Sequence, residues 1–313
     1  MQWLNTVLID TAYILGNLFV QLAFTVGLVI LYGLFISLCN RLFYDACGNR
    51  AFWIVRLTGY IGTPIHELSH ALMCLLFGHS VKKVSLFGDS PKSKTLGYVE
   101  HTYRRSNMYH QLGNFFIGVS PVLAGGLVIL LLIRFATPSL YGNMWIATEQ
   151  LKSALSPHTD VSAVLSALDG LLSILVAIFS PRNFINWRWW LCMILVFSVA
   201  LHMEISRSDI RSGMKGLGVI TVMLLITDVI LGVLFREQYA LSSFTTDCVS
   251  AGIFLGSFMI IPAVFSALIG FASLIGILVR EGAKSIRNDG GRERFDPHSV
   301  HGHKKTEEAE EES

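Results

Sequence analysis

The sequence predicts an all-α polytopic membrane protein of about seven transmembrane helices. A small β-hairpin is expected directly after an H-E-x-x-H helix. Three observations carry this reading. The 313-residue chain is 52% hydrophobic and 15% charged, with a mean hydropathy of +0.55, whereas a soluble domain carries roughly 25% charged residues. Apolar runs of about 20 residues, the length that crosses a bilayer, recur along it. One polar stretch between them is rich in β-branched and aromatic residues on both sides of a turn. The net charge of +2 favours no particular partner, and no compact basic patch suggests nucleic acid.

The first span covers residues 12–38. No Lys or Arg precedes it, and it is too long for the core of a signal peptide, so it is expected to be retained. The second, residues 52–77, holds most of "TPIHELSHALMCLLFGH". The polar stretch 81–103 follows. There "KKVSLF" and "TLGYVEHTY" flank Gly88, Asp89, Ser90 and Pro91, the pattern of a hairpin. Later spans are expected at 109–133, 161–180, 184–201, 216–235 and 249–279. The aromatic start "NWRWW" of the fifth suits a membrane interface, and Pro262 predicts a kink in the seventh. Residues 281–313 are polar, end in "KKTEEAEEES" and read as a disordered tail behind a membrane-embedded domain of residues 1–280. The Lys and Arg bias between loops slightly favours a cytoplasmic tail.

Cys39, Cys47, Cys74, Cys192 and Cys248 form no C-x-x-C pair and are odd in number. Neither a disulfide framework nor a thiolate metal site is expected from them. His79, His101 and His110 flank the hairpin and read as interface or loop histidines rather than ligands.

Ionisable groups within an apolar span need partners. His66, Glu67 and His70 supply three within five positions, as H-E-x-x-H. On a helix, residues i and i+4 share a face, so both imidazoles reach one ion. Zinc lowers the pKa of bound water to about 7, and a glutamate beside the first histidine is placed to take its proton. Thr63 and Pro64 read as an N-cap and a first-turn proline, with a helix break at residues 59–62.

"TPIHELSHAL", then "FGHSVKKVSLF", then "GYV" ahead of a span containing Gly and Pro, resembles the site-2 protease family of intramembrane zinc metallopeptidases. The resemblance covers residues 59–126 and one later motif. It implies Zn2+ as cofactor, His66 and His70 as metal ligands, Glu67 as catalytic base, and an aspartate from a later span as third ligand. It also implies hydrolysis of a peptide bond in a membrane protein substrate, within a lipid bilayer. The expected location is a multi-pass integral protein of a bacterial cytoplasmic membrane. The family's G-P-x-x-N element has a counterpart in Gly118, Pro121 and residues 124–126, but without the asparagine.

Four residues compete for the third position. Asp209 is favoured. It lies in "LHMEISRSDIRSGMKG", which resembles an H-M-x-x-S-x-x-D-[IL]-[KR] element of a divergent branch of these enzymes. His202, in the same segment, is either a ligand or a group that orients one. Asp169, in "SALDG", matches the family's L-D-G but lacks its proline-containing lead-in. Asp228, in "LLITDVILG", is an acid inside a span with no motif around it. The rival to a protease is a membrane metal-binding protein or transporter that cleaves nothing.

Overall fold

The computed structural model describes residues 2–87, 96–154, 161–234 and 238–289. The described residues are helical nearly throughout. The chain begins with α1 (Gln2–Leu22) and α2 (Leu28–Cys47), joined through a π-helical segment at Ala23–Gly27. Next comes α3 (Ala51–Leu76), then the strands β1 (Ser80–Ser85) and β2 (Tyr98–Thr102). Then follow α4 (Met108–Ala136), α5 (Pro138–Ala154), α6 (Val161–Ile178), the short α7 (Pro181–Ile185) and α8 (Trp187–Ala200). The last two are α9 (Arg207–Val229) and α10 (Gln238–Asp289).

Among the described residues, five stretches are long and apolar enough to cross a membrane: Asp10–Cys47, Met108–Ala136, Leu168–Ile185, Ser208–Gly232 and Phe258–Gly282. The count falls short of the seven or so expected. Of the expected spans, α8 is only 14 residues long, and α3 is not among the five. Arg56, Thr58, His66, Glu67, Ser69 and His70 dilute the apolar character of α3. The outer surface is apolar, with Phe19, Trp53, Leu57, Phe135 and Ile185 all exposed. Such a surface suits hydrocarbon rather than water.

The central helix is α4. Buried residues fall on nearly all its faces, from Gly113 to Ile133, the pattern of a helix surrounded by others. Val122, Ile129 and Ile133 join one core with Ile36 of α2, Val196 of α8 and Ile261 of α10. Small residues set how closely its neighbours approach. A Cβ on Gly118 would lie 2.7 Å from the carbonyl oxygen of Asp209, and one on Gly216 would lie 2.4 Å from the Phe115 nitrogen. The first turns of α9 therefore lie directly against α4.

Three expectations change here. Helix α3 starts at Ala51, not Thr63, and Pro64 lies inside it. A proline removes one backbone hydrogen bond and crowds the preceding turn, but packing of that turn outweighs the local signal. A Cβ on Gly62 would lie 2.4 Å from the Ser198 carbonyl oxygen of α8, so the helix is held there from outside. Helix α10 runs through Pro262 and on to Asp289, past the boundary expected at 280. Residues 281–289 include Glu, Ala, Lys and Arg, which are good helix formers. Last, α5 is a helix where no element was expected. The hairpin is present, and its strands pair antiparallel with Val81 opposite His101 and Val84 opposite Val99. The turn residues 88–91, and the tail from 290 onward, lie outside the described residues.

Candidate metal centre

The two motif histidines meet on one face of α3, with His66 Nε2 and His70 Nε2 3.2 Å apart. Each ring is fixed from behind. His66 Nδ1 donates to the carbonyl oxygen of His202 at 2.7 Å. His70 Nδ1 donates to the carbonyl oxygen of Ile117 at 2.8 Å. A carbonyl can only accept, so both Nδ1 atoms carry the proton and both Nε2 atoms present a lone pair. Two lone pairs facing each other at this distance repel unless a cation sits between them. Two nitrogens bound tetrahedrally to one zinc at about 2.0–2.1 Å would be separated by roughly 3.3 Å, so the pair fits that ion.

Both accepting carbonyls are free because a helix is interrupted. Ile117 lies four residues before Pro121, which has no N–H to give it. The orphaned oxygen accepts from His70 and also from Ser120 Oγ at 2.8 Å. His202 lies just past the end of α8, where carbonyls lack helical partners. Its neighbours are satisfied from α2: Asn40 Nδ2 reaches the oxygens of Ala200 and Leu201, and Tyr44 Oη reaches that of Leu201. The His202 oxygen is left for His66.

Asp209 completes the group, its Oδ1 lying 3.7 Å from His70 Nε2. The donor atoms of His66, His70 and Asp209 all fall within 4.8 Å of one another. A capping box aims the carboxylate. Ser206 Oγ accepts from the Asp209 backbone N–H at 3.2 Å, and Asp209 Oδ2 accepts from the Ser206 N–H at 3.0 Å. One oxygen closes the start of α9 and the other faces the histidines. Three residues to which sequence reasoning gave no part in orienting the ligands thus shape the site: Pro121 and Ser206, met there only as motif positions, and Ser120. Ser206 had a legible signal, since S-x-x-D before an apolar run is a helix-start pattern.

Glu67 is buried and lines a cavity of about 630 Å³ with Thr63, His66, Leu96, Gly97 and His202. The hairpin forms one wall. A Cβ on Gly97 would lie 2.7 Å from Glu67 Cγ, so the backbone leading into β2 passes directly over the glutamate. Phe87, beyond β1, stacks on Tyr60 of α3 with ring centroids 4.3 Å apart.

The remaining candidates lie elsewhere. The ring of His202 is not in the cluster: its Nδ1 donates to the Ser198 oxygen at 2.8 Å, and burial pushes its pKa below the usual imidazole value. Asp169 is exposed on α6. Asp228 is buried at the far end of α9, where Gln21 Nε2 donates to its Oδ1 at 2.9 Å. No protein-family model matches the chain, and neither a curated protein nor a solved structure matches it significantly.

Proposed function

We propose that the protein is a zinc-dependent intramembrane protease. The observation that carries this reading is the pair of Nε2 lone pairs at 3.2 Å, each imidazole locked by a backbone carbonyl, with one Asp209 oxygen facing them. Zinc held by His66, His70 and Asp209 would supply the Lewis acid that activates water.

The protein's own groups do the rest. Glu67 takes a proton from the attacking water as its oxygen bonds to the peptide carbon. It then delivers that proton to the nitrogen as the C–N bond breaks. The cavity gives water and an extended peptide a place beside Glu67 within an otherwise apolar assembly. Among the described residues the sheet has two strands, so each keeps an outer edge. An unwound substrate segment can add to such an edge by backbone hydrogen bonds, which would hold its carbonyl near the site.

The test is Glu67→Gln in purified, reconstituted protein, assayed on fluorescence-quenched peptides that contain a transmembrane segment. Cleavage should fall by about 100-fold or more, while zinc stays at the wild-type level. Loss of bound zinc in His66→Ala and His70→Ala should accompany it. Undiminished cleavage in Glu67→Gln, or undiminished zinc in both histidine variants, would overturn the proposal. A transporter or scaffold would not need the base.

A further inference from the structure

A second cluster of donors stands at the C-terminal end of α3. Cys74, His79 and His101 bring candidate ligand atoms within 4.8 Å of one another. The sequence spacing had suggested no role for a thiolate there. The local fold explains the meeting. Helix α3 ends in a Schellman turn: the His79 N–H donates to the Cys74 oxygen at 2.8 Å and the Gly78 N–H to the Leu75 oxygen at 3.2 Å. Gly78 takes φ 71°, the left-handed conformation that this turn requires and that glycine accepts most readily. The turn folds His79 back beside Cys74. The hairpin register then supplies the third group, because Val81 pairs with His101.

One member of this cluster lacks a partner it ought to have. His79 is only 3% exposed. Its Nε2 donates to the His110 oxygen at 2.8 Å, which fixes the tautomer and leaves Nδ1 with a lone pair. That Nδ1 is buried and has no hydrogen-bond partner. A buried acceptor left unsatisfied is destabilising, because it has given up water and gained no partner. Cys74 is fully buried, and Tyr103 stacks on the His79 ring at 4.9 Å. A thiol and two imidazoles in an enclosed corner are the donor set of a borderline-soft cation, not of Ca2+ or Mg2+.

We propose that Cys74, His79 and His101 bind a second transition-metal ion, of the Zn2+ class, which staples the hairpin to the end of the motif helix. The ligands come from a helix terminus, its capping turn and a strand, so one ion ties together elements joined otherwise by packing. Binding converts the Cys74 thiol to a thiolate and releases its proton to solvent. The staple does not depend on the first site being catalytic. It would hold the wall beside Glu67 whatever passes through the cavity.

Cobalt titration of the metal-free full chain in detergent micelles tests this. Co2+ bound by a thiolate gives a near-ultraviolet charge-transfer band that histidine and carboxylate ligands do not. The band should appear in the wild type, persist in the His66→Ala/His70→Ala double variant and vanish in Cys74→Ser. Alkylation of Cys74, followed by peptide mass mapping, should slow at least about tenfold when the metal is present. If Cys74→Ser does not fold, His101→Ala on the strand should weaken the band's cobalt affinity by about tenfold or more. A wild type without the band at saturating cobalt, or a band retained in Cys74→Ser, overturns the proposal. A band that survives in the double variant while the zinc-loaded wild type cleaves no transmembrane peptide would support this site and defeat the protease reading instead.

Discussion

Helix α9 carries an acid near each end, and the two are held in opposite ways. Asp209, in the first turn, is half-buried and has both oxygens assigned: Oδ2 to its own capping box, Oδ1 toward His70. Asp228, next to last, is fully buried. Its Oδ1 accepts from Gln21, whose Nε2 also reaches Thr245, and its Oδ2 has no hydrogen-bond partner. By burial alone Asp228 is the stronger functional candidate. By convergence it is not, because the groups around it are amides and hydroxyls that fasten α1, α9 and α10 together. Asp209 faces two imidazoles whose Nε2 lone pairs converge at 3.2 Å. The difference teaches that a buried acid becomes a site when other donors share its target.

Substitution at Asp209 gives the largest effect. Asp209→Asn keeps the shape of the capping residue but removes the anionic oxygen. Zinc affinity should fall by more than about 100-fold, beyond the 10–100-fold cost of losing an orienting partner. Peptide cleavage should fall with it. Dialysis against a zinc buffer followed by metal analysis measures this. Wild-type affinity in Asp209→Asn would erase the contrast between the two acids.

The histidine pair was legible because i, i+4 spacing is a property of any α-helix and needs no tertiary information. The paired strands of the hairpin were legible from their β-branched and aromatic residues. Asp209 could be weighed against its rivals only by a resemblance, since nothing in a linear string states that α9 starts beside the face of α3. That placement depends on the close approach of Gly118 and Gly216, which is visible only after folding. The start of α3 was misjudged for a related reason. Thr63 and Pro64 form a strong local cap signal, but packing of Gly62 on α8 decided the matter. The Cys74 corner was missed because its parts come from a capping turn and a strand register, whose meeting no spacing rule encodes.

A subtler effect is expected at Pro121, which matters through what it lacks. Pro121→Ala restores an N–H that can bond to the Ile117 oxygen in the ordinary helical way. That oxygen then serves a third donor besides His70 Nδ1 and Ser120 Oγ. Competition loosens the imidazole and weakens the preference for the tautomer that points Nε2 at the metal. Zinc affinity should drop by about tenfold, at the low end for an outer partner of a ligating histidine. If Pro121→Ala binds zinc as tightly as the wild type, the freed carbonyl is not what orients His70, and Asp209 and His66 hold the geometry without it.

The smallest effects should come from the acids left outside the cluster. Asp228→Asn keeps an oxygen to accept from Gln21, so the link between α1 and α9 survives in weakened form. Interhelical hydrogen bonds of this kind contribute only about 0.6 kcal/mol on average. The variant should therefore lose a little thermal stability in micelles and bind zinc as the wild type does. Asp169 is exposed on α6 and touches neither histidine cluster, so Asp169→Asn should change neither zinc content nor cleavage. Measured side by side with Asp209→Asn, these two variants ask whether position relative to His66 and His70, rather than acidity within a helix, selects the third ligand. Zinc lost in Asp169→Asn but kept in Asp209→Asn would make the L-D-G triplet the functional element. The S-x-x-D turn would then be reduced to a helix cap, and the 3.7 Å approach of Asp209 to His70 would be incidental to metal binding.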